Sequence, residues 1–193
     1  MLAMTTAADP PWLRLARREV GQKELKGGAK AAVGERDNPQ IVAYWTRAGI
    51  LKKKDKTLWT PSNDEVPWCA AFIGAMLRDA GLPGSGEALA RSYQRYGIAV
   101  MNADRANPWS AIPTGALVVL SRNSAGPTKG HVGFAVGLSR SSIQLLGGNQ
   151  NDAVSIDWFP KARIVDVRWP SGAPFTPYLA TSSGKTAISV RTN

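Results

Sequence analysis

Five short apolar segments follow one another between residues 115 and 169: "GALVVL", "HVGFAVG", "SIQLLG", "AVSIDWF" and "RIVDVRW". Glycine, serine or proline separates each from the next. Runs of this length with turn residues between them predict strands, and short connections predict antiparallel pairing. The chain before them has another period. Its apolar residues recur every three to four positions in segments that end at glycine, which predicts helices. Helices first and strands after give an α+β domain in which helices cover one face of a mostly antiparallel sheet. With 193 residues and 44% hydrophobic composition, the chain supports one substantial core and hardly two catalytic domains.

The first helix is expected from Pro10 to Val20, with Asp9 as a candidate cap, Pro11 in the first turn and Gly21 as its end. The second opens "DNPQIVAYWTRAG": Asn38 is placed to cap, Pro39 suits the first helical position, and Gly49 stops it. The third lies in "DEVPWCAAFIGAMLRDAG", residues 64–81. Pro67 fits its first turn, and Ala70, Phe72, Ile73, Met76 and Leu77 give an almost continuous buried surface. A short helix over Glu87 to Tyr96 is expected next. "KGGAKAAVGERD" reads as a glycine-rich loop inside the domain and "LKKKDK" as another loop. The organisation is a flexible N-terminus over 1–9, one domain over 10–170, and a tail over 171–193 that orders only against the body or a partner. Within that tail, "PFTPYL" is the segment expected to dock its aromatics, and disorder is the competing expectation past Gly184.

Charge narrows the partners. Lys and Arg number 24 against 14 Asp and Glu, for a net charge of +10, and residues 11–60 alone hold twelve basic and five acidic side chains. Such asymmetry suits a polyanion, either nucleic acid or an anionic wall or membrane, with a plain solvated basic face as the alternative. A single cysteine excludes an internal disulfide. With a single histidine it also excludes the clustered Cys and His ligands of a structural zinc site. No metal and no cofactor are expected. The longest apolar run, Trp68 to Leu77, has ten residues, against roughly 18 for a membrane span. "MLAMTTAADPPW" lacks the basic end and apolar core of a secretory signal, so export by the general route is not expected.

The lone cysteine, Cys69, falls in the first turn of the third helix. An unpaired cysteine is most often a small core residue, but unpaired backbone donors at a helix start favour a thiolate and can hold an oxyanion. The lone histidine, His131, opens "HVGFAVG". Alternation places it with Gly133 and Ala135, opposite Val132, Phe134 and Val136, on a strand edge that small residues leave open. There a ring with a pKa near 6.5 suits a general base or an ion-pair partner for a thiolate, with an ordinary surface histidine as the alternative. A third group is needed to hold the imidazole. Asn149 in "LLGGNQ" is the first choice, Gln150 replaces it if the register differs by one, and Asn151 or Asp152 are remoter. Taken alone, "GGNQND" reads equally well as a polar turn. Glu65 has two readings, a contact for a substrate amine or a carboxylate that favours the helix start. Trp68 likewise either lines the cleft or packs in the core.

The segments "DEVPWCAAFIGAML", "GALVVLSR", "GHVGFAVG", "IQLLGGNQNDAV" and "VRWP", in that order, resemble the bacterial and phage cysteine peptidoglycan hydrolases related to the CHAP and NlpC-type amidohydrolases. The resemblance spans roughly residues 10–170 and implies a papain-like α+β catalytic core. It implies Cys69 as nucleophile, His131 as base and Asn149 as the residue orienting it, the family itself varying at that third position. It also implies amide cleavage in bacterial peptidoglycan, as an N-acetylmuramoyl-L-alanine amidase or, alternatively, an endopeptidase. A +10 charge suits approach to a wall rich in anionic polymers. Action at the cell wall or periplasm would follow release by phage lysis or a dedicated secretion system. The alternative of another class is a basic nucleic-acid-binding module; the chain carries no recognition signature for one, so no specific nucleic acid is expected.

Overall fold

A computed structural model describes residues 9–25, 37–51, 66–102, 106–122, 129–176, 178–180 and 188–191. The expected loop "LKKKDK" beyond Leu51, most of "KGGAKAAVGERD", the first eight residues and Glu65 lie outside them.

Three helices come first: α1 (Pro11–Arg18), α2 (Pro39–Arg47) and α3 (Cys69–Asp79). Asn38 caps α2 as its side chain accepts a hydrogen bond from the Gln40 amide at 2.9 Å, and Pro39 takes the first helical position, where no donor is required. Asp9 does not cap α1. Pro10 occupies that position, and the Asp9 carboxylate pairs with Arg17 at 2.5 Å. The start of α3 is also shifted from expectation: Trp68 is its N-cap, Cys69 is its first helical residue, and Pro67 stands outside. Every residue of α3 from Cys69 to Leu77 is buried, because the helix is enclosed between α1 and α2 on one side and the sheet on the other. Small residues at Ala70, Ala71, Gly74 and Ala75 permit that close approach. The expected short helix is a 3₁₀ segment over Ala90–Arg95.

The strands are β1 (Ile98–Asn102), β2 (Ala111–Pro113), β3 (Leu117–Ser121), β4 (Gly130–Leu138), β5 (Ser142–Gly147), β6 (Ser155–Pro160), β7 (Ile164–Trp169), β8 (Tyr178–Ala180) and β9 (Ile188–Arg191). Seven form one antiparallel sheet in the order β6-β5-β4-β3-β7-β1-β9, and β2 pairs with β8 apart from it. The five apolar segments of the sequence are β3 to β7. The architecture is α+β, with a few helices packed on a mostly antiparallel sheet. Among the described residues no helix is long and apolar enough to cross a membrane.

Four strands have no counterpart in the sequence reading. The segment from residue 171 contributes β8 and β9, and Phe175 stacks on Trp169 with ring centroids 5.2 Å apart. A second unforeseen tie joins the residues after α1 to the turn between β5 and β6. Gly21 and Glu24 donate backbone hydrogen bonds to Val154 and Asp152, and Val154 donates to Gln22. Glu24 Oε1 also accepts from Trp68 Nε1 at 2.7 Å. The 21–24 segment therefore links the start of α3 to the β5–β6 turn, two elements more than eighty residues apart in sequence.

Candidate active site

Cys69 sits at the N-terminal end of α3, where the helix meets β4, and is only 5% exposed. Burial pushes its thiol up from the ordinary cysteine range. The backbone amide of Val132, the charge of Arg122 and the amides of Ala70 and Cys69 pull the other way. The sequence reading left a core cysteine and a thiolate as alternatives, the second through the pull of the helix start. Loss of water around the sulfur outweighs it, so the resting group is a neutral thiol. Val132 follows His131 directly, so the sulfur and the imidazole meet the same short stretch of β4. No hydrogen bond joins the thiol to the ring among the described residues.

His131 departs from expectation in its setting and in its basicity. It is on an interior strand, between β3 and β5, not at an edge, and it is 3% exposed. Leu120 lies opposite it on β3, and the ring packs against Phe159 with centroids 5.5 Å apart. Burial lowers its pKa from 6.5 to about 4; the hydrogen bond to Gln150 opposes this, Arg122 and Arg163 reinforce it, and Asp157 opposes it.

The ring Nε2 is 2.9 Å from Gln150 Oε1. Gln150, the register alternative, therefore holds the imidazole, and Asn149 does not. Asn149 has φ +56°, with Asn151 and Asp152 at +52° and +60°, so these three residues form a left-handed turn that Asn and Asp tolerate better than most side chains. Asn149 faces the cleft and shapes the turn; Gln150 points inward. The preceding glycines are required by close approach: a Cβ at Gly147 would lie 2.7 Å from Gln150 Oε1 and 3.2 Å from His131 Nε2.

The Gln150 amide fixes the tautomer of the ring. Its Nε2 faces Ser155 O at 2.9 Å, Ser155 Oγ at 3.1 Å, Asp157 Oδ2 at 3.2 Å and Leu145 O at 3.4 Å. A flipped amide would set its oxygen against two carbonyls and a carboxylate. The oxygen must therefore face the ring, His131 Nε2 must carry the proton, and Nδ1 is left as the basic nitrogen. Ser155 donates in turn to Asp157. The chain Asp157, Ser155, Gln150, His131 thus ends in a neutral imidazole with one defined lone pair. Ser155, Asp157 and Phe159 alternate along β6, and that period-two spacing was the available sequence signal for them.

The other singled-out residues divide. Trp68 is fully buried, packed against Tyr44 and Phe72, and belongs to the core, not to the cleft wall. Above the His131–Gln150 pair a cleft of about 420 Å³ opens, walled by Arg122, Asn149, Asp157, Trp158 and Arg163. Among the described residues no group of three or more His, Cys, Asp or Glu side chains is placed to hold a metal ion. No protein-family model matches the chain, and a search of the curated proteins finds no match.

The chain's single histidine makes its titration directly readable. The imidazole resonances in a proton NMR titration should move with an apparent pKa near 4, down from 6.5. Gln150→Glu, which sets a carboxylate beside the ring, should move that value upward by about one unit or more. The same shift governs stability. A histidine kept neutral by the fold is protonated more readily when unfolded, so stability present above pH 6.5 is lost as pH falls from 6.5 to about 4. The loss from this group is on the order of 3 kcal/mol, readable in urea melts across that range. A ring that titrates near 6.5 in the folded protein would contradict both.

Proposed function

We propose that this chain is a cysteine-dependent peptidoglycan hydrolase of papain-like core that cleaves an amide bond of the bacterial wall. N-acetylmuramoyl-L-alanine amidase is the first assignment and stem-peptide endopeptidase the alternative. The observation that carries the reading is the His131–Gln150 pair, which leaves one basic ring nitrogen on the strand whose next residue contacts the thiol at the head of α3. The family resemblance of the segments around Cys69, His131 and Asn149 supports it, with Gln150 in the orienting place that the resemblance gave to Asn149. The net charge of +10 suits encounter with anionic wall polymers.

The reaction starts from a neutral thiol and a neutral imidazole. His131 Nδ1 takes the Cys69 proton as sulfur attacks the amide carbonyl carbon, and the carbonyl electron pair moves onto oxygen. Backbone amides at the start of α3 stabilise that oxyanion. On collapse the C–N bond breaks, and the imidazolium gives its proton to the departing amine. His131 then removes a proton from water as it attacks the thioester, releasing a carboxylic acid and restoring the thiol. Gln150 acts through His131 as a positioning residue.

Mass spectrometry of the products from a defined disaccharide–peptide muropeptide tests the assignment. A free stem peptide beginning with L-alanine, beside intact disaccharide, is expected for the amidase. Fragments ending within the peptide would select the endopeptidase. Intact muropeptide, together with tight and salt-sensitive binding of single-stranded nucleic acid, would replace the hydrolase reading with a basic binding module.

A further inference from the structure

Two arginines share the cleft with His131. Arg163 is held on two sides: its Nε donates to Ser121 O at 3.0 Å, and its guanidinium carbon lies 5.5 Å from the centre of the Phe159 ring. Phe159 in turn packs on His131. The stack His131, Phe159, Arg163 therefore fixes a guanidinium at a set position relative to the basic ring. With Nε committed to a carbonyl, the two terminal nitrogens remain to face the cleft that Arg163 lines. Arg122, one residue past β3, is exposed on the same cleft. Neither has an ion-pair partner among the described residues. The acid in the cleft, Asp157, accepts from both Ser155 and Gln150.

A purely structural arginine spends its terminal nitrogens on protein acceptors. Arg163 is anchored through the other end, which pre-organises the fork for an external planar anion. A peptide amide has no charge to offer such a fork, whereas a peptide with a free carboxylate near the cleaved bond does.

We propose that Arg163, assisted by Arg122, is a specificity-determining pair that binds a free carboxylate of the substrate peptide beside the scissile amide. This rests on the hydrolase reading above and adds the charge state of the substrate to it.

The test compares two synthetic muropeptides, one with the carboxylates of its stem peptide free and one with them converted to carboxamides, by kcat/KM for each. The full-length wild-type chain should prefer the free acid by on the order of tenfold, and added salt should shrink that preference. Arg163→Gln should bring the ratio toward one, while Arg163→Lys, which keeps the charge but not the fork, should retain part of it. The ratio of two substrates on one preparation does not depend on how much of a variant is folded. If Arg163→Gln does not fold at all, the exposed Arg122→Gln should still lower the ratio. Equal cleavage of acid and carboxamide by the wild type would overturn the carboxylate site and leave the hydrolase reading standing. Cleavage of neither would overturn both.

Discussion

Replacing Cys69 with alanine is expected to lower muropeptide cleavage by about a thousandfold or more, because the proposed thioester forms on the sulfur that the substitution removes. The fold should survive. Cys69 is buried but small, and its removal leaves a cavity of one sulfur atom, which costs about 1–2 kcal/mol. Circular dichroism and a thermal melt would establish the folded state before activity is compared. Cys69→Ser separates the chemistry from the volume: it keeps a group of similar size, but a hydroxyl is a far weaker nucleophile than a thiol at the same place. Wall cleavage by folded Cys69→Ala at the wild-type rate would remove the thiol from the mechanism.

Gly148→Ala should cost a large amount of stability for a single methyl group. The added Cβ would stand 2.3 Å from Trp68 Cζ3, 2.6 Å from Trp68 Cε3 and 2.7 Å from Phe72 Cβ. Neither side chain can step aside. The Trp68 indole is fully buried and tethered to Glu24, and Phe72 sits in the middle of the core. Relief would have to come from moving the β5–β6 turn away from α3. The expected cost is about 3 kcal/mol, and the melting temperature should fall by about 6–12 °C. Gly148 is also two residues from Gln150, so the displaced turn should carry the amide away from His131 and alter the histidine titration. A melting temperature unchanged within about 2 °C would mean that the turn and α3 are less tightly joined than these distances require.

Much of the architecture was legible because it depends on neighbours in sequence. The five strands from β3 to β7 follow from short apolar runs with turn residues between them. The capped start of α2 follows from Asn38 and Pro39, whose preferences are local. The position of Cys69 at a helix start follows from the apolar run behind it, although the exact first residue, after Pro67 and Trp68, depended on how the chain enters from the core. The tail strands were not legible. Each gains its partner only when β1 and β2 are in place, and segments as short as Tyr178–Ala180 and Ile188–Arg191 carry no pattern of their own.

The candidate site divides along the same line. Residue types and order alone brought forward a cysteine at a helix start, a histidine at the head of a strand and an amide in the next turn, since those are features of single segments. Only the tertiary structure chose Gln150 over Asn149. That choice rests on three turn residues of αL geometry flanking Gln150, Asn149 before it and Asn151 and Asp152 after it, and on acceptors from Leu145, Ser155 and Asp157 that fix the amide. It also decided the protonation states, because the pKa values of Cys69 and His131 are governed by burial among groups remote in sequence. And it brought Arg122 and Arg163 to one cleft, from opposite ends of a segment more than forty residues long. Periodicity reports which face of an element is apolar; water exclusion and hydrogen-bond direction arise only when distant elements close over one another.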